Sequence, residues 1–311
     1  MKKILCLLLT CAFILCTIAP VLAADDDVVN TGEEIQARIN AANSGDVLHI
    51  KVDANFCQVL GLKEAITINK PIEIYFEFGS KTNFEYIEFC CKTDHAFYID
   101  ADNVTLHFGD KIAINGAMSN TIHGEAIYVQ GNHCTIDGGF FSRCGVPERI
   151  KTFGNEYDGG AIYVDGTDCT IQNADFGDCT GYDGGAICVN QHNCHVIDCE
   201  FTDCNAMDDG GAIYVCYGTY GFVASGCSFT DCSCKDEDSG QFIEGARDAK
   251  VYNCNPNWGD KKYYAYCAFV TSNPLGSFIS SGTLWIIVAV AVVAIACVVV
   301  IITKKNKKVA A

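Results

Sequence analysis

Between residues 125 and 215 apolar positions come in short alternating runs, without the three-to-four residue recurrence of a helix. Glu125-Ala-Ile-Tyr-Val129, Gly160-Ala-Ile-Tyr-Val164, Gly185-Ala-Ile-Cys-Val189 and Gly211-Ala-Ile-Tyr-Val215 are near copies of one phrase. In extended backbone residues i and i+2 share a face. Ile127 and Val129, with their counterparts in the other copies, therefore point one way. Tyr128, Tyr163, Cys188 and Tyr214 point the other way. The step from Ala161 to Ala186 is 25 residues and from Ala186 to Ala212 it is 26, after a longer step of 35 from Ala126. A period of this size marks a repeat architecture, because one unit cannot bury its own apolar face and must stack on the next. The pattern predicts an all-β parallel solenoid.

The rest of the unit repeats too. Cys134-Thr-Ile136, Cys169-Thr-Ile171 and Cys194-His-Val196 each begin eight residues after an alanine of the phrase. A Phe three residues ahead of a Cys recurs at Phe141/Cys144, Phe176/Cys179, Phe201/Cys204 and Phe229/Cys232. Coils stacked about 4.8 Å apart turn each such position into a ladder. An Asp-Gly-Gly turn precedes three of the phrases, placing Asp158, Asp183 and Asp209 in one column.

The pattern predicts a signal peptide over 1–23, with Lys2 and Lys3 ahead of an apolar run and Val21-Leu-Ala23 as a small-residue cleavage site. Residues 24–46 are expected to hold a short capping helix: Thr31-Gly-Glu-Glu34 reads as a capping box, with Ile35, Ile39 and Ala42 on one face. An open solenoid end needs such a cover. The β-helix is expected over 47–256, and a distal cap and stalk over 257–283. Residues 284–302 carry no charge and are followed by a lysine-rich tail at 303–311, which reads as one transmembrane helix with a cytoplasmic tail. The expected placement is a single-pass type I protein at the cell surface, its ectodomain outside.

Charge narrows the partners. The formal net charge is -17. Lys2, Lys3, Lys304, Lys305, Lys307 and Lys308 all lie in the terminal segments, so the region between them is more acidic still. Such a surface repels nucleic acid, and it grips acidic glycans only through divalent cations.

The helix-then-strand entry and the Ala65-Ile-Thr-Ile-Asn-Lys-Pro-Ile72 phrase resemble right-handed parallel β-helix proteins of the pectin-lyase-like superfamily. The Gly-Gly-Ala-Ile and Phe-x-x repeats resemble chlamydial polymorphic outer-membrane proteins and the adhesin-like surface proteins of methanogenic archaea. The resemblance covers roughly 31–255 and departs from the chlamydial pattern in carrying Cys after Phe-x-x. It implies a right-handed helix and an adhesin-like role in contact with a surface glycan or a partner cell. The superfamily also contains polysaccharide lyases and glycoside hydrolases, which keeps a carbohydrate-active enzyme as the alternative, beside a structural envelope spacer. Arg149-Ile-Lys151 and Asp208-Asp209 match short polygalacturonase strings, but in the reverse order, and no catalytic residue is expected on that ground.

The side chains singled out for binding are Tyr128, Tyr163 and Tyr214, an aromatic stripe suited to sugar rings or a partner surface. The alternative is ring stacking that only stiffens the sheet. No cofactor is expected, except that Asp158, Asp183 and Asp209 repel one another in register and a Ca²⁺ would relieve them. Asn103-Val-Thr105 is a glycosylation sequon. Removing Cys6, Cys11, Cys16 and Cys297 with the terminal segments leaves an odd number of the 21 cysteines. Buried thiol ladders and partial disulfide pairing both stay open, with connectivity unassigned.

Overall fold

A computed structural model describes residues 28–54, 58–79, 85–91, 95–116, 123–145, 158–236, 240–246, 248–255, 264–265 and 268–269. The chain enters through helix α1, Gly32–Ala41. Thr31 Oγ1 accepts from the Glu34 N–H at 3.2 Å, and Glu34 Oε2 accepts from the Asn30 N–H at 2.7 Å. This closes the helix start as the capping pattern predicts. Ile35 and Ile39 are fully buried and lay the helix across the open end of the core. Gln36 completes the cover: its Nε2 donates to Thr67 O at 3.0 Å and its Oε1 accepts from Thr67 N at 2.7 Å. Thr67 sits in the edge strand Ile66–Ile68, so the carboxamide satisfies backbone groups that would otherwise recruit another strand.

Behind the helix the chain winds into a right-handed parallel β-solenoid. One sheet has 14 strands, a second has eight and a third has three. The eight-stranded sheet takes one strand per coil, among them Phe97–Ile99, Ile127–Val129, Ile162–Val164, Ile187–Val189 and Ile213–Val215. Every pairing in it is parallel and in register, Ile127 on Ile162 on Ile187 on Ile213. The repeat alanines stack as their spacing requires: Ala161 N donates to Ala186 O, and Ala186 N to Ala212 O, both at 2.9 Å.

The interior is a set of ladders. Phe141, Phe176, Phe201 and Phe229 stack at successive centroid separations of 4.9 Å with interplanar angles of 13° or less. Each such pair adds about 0.5–1.5 kcal/mol beyond its area burial. The cysteines Cys169, Cys179, Cys194 and Cys204 are buried to 3% exposure or less. All the described cysteines are free thiols. Many follow a corner residue in the left-handed region: Asp168 (φ 57°), Asp178 (54°), Asn193 (57°), Asp198 (50°) and Asp203 (53°). Asp and Asn tolerate that conformation through their short polar side chains. The next residue points inward, and Cys fills that place in most coils, with Val104 and Phe222 taking it on either side of the cysteines in one ladder. The cysteine Sγ donates weakly across the coil step, Cys169 to Gly131 O and Cys194 to Gly166 O, each at 3.4 Å.

The membrane part of the sequence reading is corrected here. Among the described residues no helix is long and apolar enough to cross a membrane. Helix α1, with 10 residues, rises about 15 Å, half the thickness of a bilayer core. The segment 284–302 and the expected signal over 1–23 lie outside the described residues. The transmembrane helix, the membrane as a partner, the single-pass cell-surface placement and the anchored adhesin built on them are therefore not retained.

Candidate functional site

The outward positions of the eight-stranded sheet form a strip. Tyr98, Tyr128 and Tyr163 follow one another along it, with centroids 5.6 and 5.4 Å apart, the first pair tilted and the second stacked. Cys188 then takes the equivalent place, Tyr214 pairs with Cys188, and Glu244 pairs with Tyr214. The three tyrosines named from sequence are thus brought into one column, half-buried. Burial raises their phenol pKa values, that of Tyr128 to about 12, with Asp165 adding to it. Tyr163 and Tyr214 shift the same way for the same cause. Spacing alone missed Tyr98, because the earlier coils lack the Gly-Gly-Ala phrase. Its signal was the short run Phe97-Tyr-Ile99, which has the same apolar–Tyr–apolar order.

One border of the strip is polar. Gln130, Asp165, Asn190 and Cys216 each follow the valine or equivalent end of a strand. The Tyr98 hydroxyl donates to Gln130 Oε1, and the Tyr128 hydroxyl to Asp165 Oδ2 at 3.4 Å. Asn190 Nδ2 donates to Asp165 Oδ1 at 3.0 Å. Each border residue therefore reaches back to the strip or border of the coil before it.

The other border is the aspartate column, and His123 heads it. Gly124, Gly159, Gly184 and Gly210 have φ between 59° and 65°, so these turns need glycine. The turns let each side chain reach the next coil's backbone. His123 Nδ1 accepts from Asp158 N at 3.0 Å, and Asp183 Oδ1 accepts from Asp209 N at 3.0 Å. Between them Asp158 Oδ1 takes a longer bond from Asp183 N at 3.4 Å. Burial raises the Asp183 pKa to about 8, with Asp158, Asp209 and Asp208 contributing repulsion. The backbone hydrogen bonds and the raised Asp183 pKa both ease the repulsion along the column.

The group with the donor chemistry for a divalent cation is a different one. Oxygens of Asp208, Asp209 and Asp236 lie within 4.8 Å of one another. Ca²⁺ takes six to eight oxygens at about 2.3–2.6 Å, so three carboxylates at this spacing fit as part of its shell. Only Asp209 of the expected metal column belongs to this group, and Asp236 entered no sequence pattern because its coil lacks the Asp-Gly-Gly turn.

Asp209 also lines a cleft of about 480 Å³ at the end of the strip, together with Tyr214, Tyr217, Glu244 and Asp248. Tyr217 is fully exposed at its rim, while Glu244 is 8% exposed and accepts from Gly240 N at 2.9 Å through Oε2. Sequence reasoning missed Glu244. It stands in the tyrosine column, but its coil writes Gln241-Phe-Ile-Glu244 where the others write Gly-Ala-Ile-Tyr. Another buried acid, Glu125, replaces the second glycine of the turn and faces the core, where its Oε2 accepts from Gly145 N at 2.8 Å. Burial raises its pKa to about 8 against the pull of that hydrogen bond.

A second polar patch lies on the 14-stranded sheet. His49, Tyr75 and His107 stack at 4.7 and 4.2 Å, and His107 lies between Asp137 at 2.8 Å and Glu73 at 3.2 Å. Asn103 is exposed with φ 58°, a reachable corner for the sequon. Arg149-Ile-Lys151 lies outside the described residues.

Comparison with family models, with curated proteins and with solved structures finds no match for this chain. The fold stands on its own geometry, and the archaeal and chlamydial resemblances carry nothing further.

Proposed function

We propose that this β-solenoid binds a neutral glycan along the tyrosine strip and processes it in the cleft where the strip ends. The observation that carries the reading is the meeting of Tyr214 and Tyr217 with Asp209, Glu244 and Asp248 around one concave site. Sugar rings pack on aromatic faces, and glycosidic cleavage needs two carboxyl groups flanking the bond. Glu244, nearly sequestered from water, suits the general acid. Asp209, at the open edge of the turn, suits the base that activates water. A cation held by Asp208, Asp209 and Asp236 would bridge the cleft to acidic sugars instead, which makes Ca²⁺ dependence a diagnostic of substrate class. The adhesin-like role is what the family resemblance implies, with a carbohydrate-active enzyme as the alternative, and the cleft supports that alternative.

The test is release of reducing ends from a panel of neutral polysaccharides. Glu244→Gln is expected to lower turnover by about 10²–10⁴-fold while binding persists. Tyr214→Ser is expected to weaken binding by about 1–2 kcal/mol. Binding that depends on Tyr214 without any product would reduce the reading to recognition alone. Absence of both would end it.

A further inference from the structure

The strip is interrupted where Cys188 stands between Tyr163 and Tyr214. On the next coil the border residue is also a cysteine, Cys216, in the column otherwise filled by Gln130, Asp165 and Asn190. Where the strip carries a phenol, as at Tyr98 and Tyr128, the border residue of the next coil is an amide or a carboxylate that accepts a hydrogen bond from it. Where the strip carries a thiol, the next border residue is a thiol, and the two sulfurs lie 3.5 Å apart.

We propose that Cys188 and Cys216 are a reversible dithiol–disulfide pair, closed by exchange with a low-molecular-weight disulfide such as glutathione disulfide. Three observations set this pair apart from the other thiols. The core cysteines Cys169, Cys179, Cys194, Cys199, Cys204 and Cys227 donate to backbone carbonyls of the coil before and of their own. The core thiols also interact along their ladders, but Cys188 and Cys216 meet sulfur to sulfur at 3.5 Å outside the core. Cys216 is half-buried where Cys188 is fully buried, so a dissolved oxidant reaches one member and the other waits behind it. The backbone holds the pair in place, Cys216 N donating to Val189 O at 2.9 Å. Bonding needs the sulfurs to approach by about 1.5 Å, from 3.5 Å to the roughly 2.05 Å of a disulfide.

The step balances. The Cys216 thiolate attacks one sulfur of glutathione disulfide, forming a mixed disulfide and expelling one glutathione thiolate. Cys188 then loses its proton to water and attacks Cys216 Sγ, expelling the second glutathione. Two protein thiols are oxidised and one external disulfide is reduced to two thiols. Burial holds the Cys188 thiol well above its ordinary pKa. The second step is therefore the slower one, and the mixed disulfide at Cys216 should be a transient that can be trapped. This inference is independent of the glycan reading.

The experiment incubates the native full chain with glutathione disulfide, blocks remaining thiols with N-ethylmaleimide in acid, and maps peptic peptides without reduction. Pepsin is needed because no Lys or Arg lies between Lys151 and Lys235. The expected product is a Cys188–Cys216 link, formed at least tenfold faster than any link among the core cysteines and reversed by dithiothreitol. Cys188→Ser should stop at glutathionylated Cys216, and Cys216→Ser should leave Cys188 unmodified. A wild-type chain that stays glutathionylated at Cys216, or that links core cysteines as fast, would overturn the assignment. So would a chain in which neither thiol reacts, and this reading of the wild type does not depend on either variant folding.

Discussion

At the scale of single residues, two kinds of position decide how the coils close. Most of the left-handed corners take Asp or Asn, and a buried apolar side chain, in most coils a thiol, follows them into the core. Asp203→Val should cost about 1–2 kcal/mol in chemical denaturation, because a β-branched residue resists positive φ, whereas Asp203→Gly should be near neutral. The Cys columns were visible in the spacing, but the Asp-Cys and Asn-Cys dyads that explain them were not. A left-handed corner has no apolar period of its own. Glu125 shows the other kind of position, a carboxyl in the core. Its folded pKa of about 8 lies above that of the unfolded chain, near 4.5. The folded state therefore holds a proton that the unfolded state releases. Its contribution to stability is complete below about pH 4.5 and is lost as pH rises through about 8. Glu125→Gln should flatten that decline and raise stability at pH 9 by on the order of 2 kcal/mol, read from denaturant midpoints across the range. A slope from Asp183, which titrates in the same window, should remain. An unchanged pH profile would mean that Glu125 ionises freely in the fold.

At the scale of elements, the solenoid solves its end problem with helix α1 rather than with another strand. Gln36 holds both the N–H and the C=O of Thr67, a contact 31 residues away that no local pattern announces. Gln36→Ala should cost about 1–3 kcal/mol by leaving those groups unmet. It should also speed amide exchange at Thr67 and promote end-to-end association that rises with concentration. The capping helix itself was legible, because Thr31, Glu34, Ile35 and Ile39 form a local signature. The parallel coils were legible for the same reason from residue 126 onward, where the phrase repeats nearly verbatim. Before that point the strands Ile66–Ile68 and Phe97–Ile99 join the same sheet without the phrase. That is why Tyr98 entered the column unannounced. Glu244 escaped for a related reason: register placed it under Tyr214, while its own coil had drifted from the motif. Phe201→Ala, which removes a rung between Phe176 and Phe229, should cost about 3–5 kcal/mol in the same denaturation assay.

At the scale of the whole molecule, charge and shape together choose the ligand. The formal net charge is -17, and the strip leads into a cleft whose named acids are Asp209, Glu244 and Asp248. A polyanion approaching that end meets like charge, with no compensating base among the described residues of the lining. A neutral glycan meets aromatic faces and hydrogen-bonding carboxyls, neither of which depends on long-range attraction. Affinity for a neutral polysaccharide should therefore change less than about twofold between roughly 50 mM and 500 mM salt, since screening acts on charge pairs that this complex lacks. An acidic polysaccharide should bind only when Ca²⁺ is added, and Asp236→Asn, which removes a ligand of the cation group without touching the cleft lining, should abolish that gain. Titration calorimetry with both polymers, with and without Ca²⁺, separates the cases. Tight binding of the acidic polymer in chelator, strengthening as salt falls, would mean that the acidic surface is not what selects the ligand, and the assignment of a neutral substrate would fail with it.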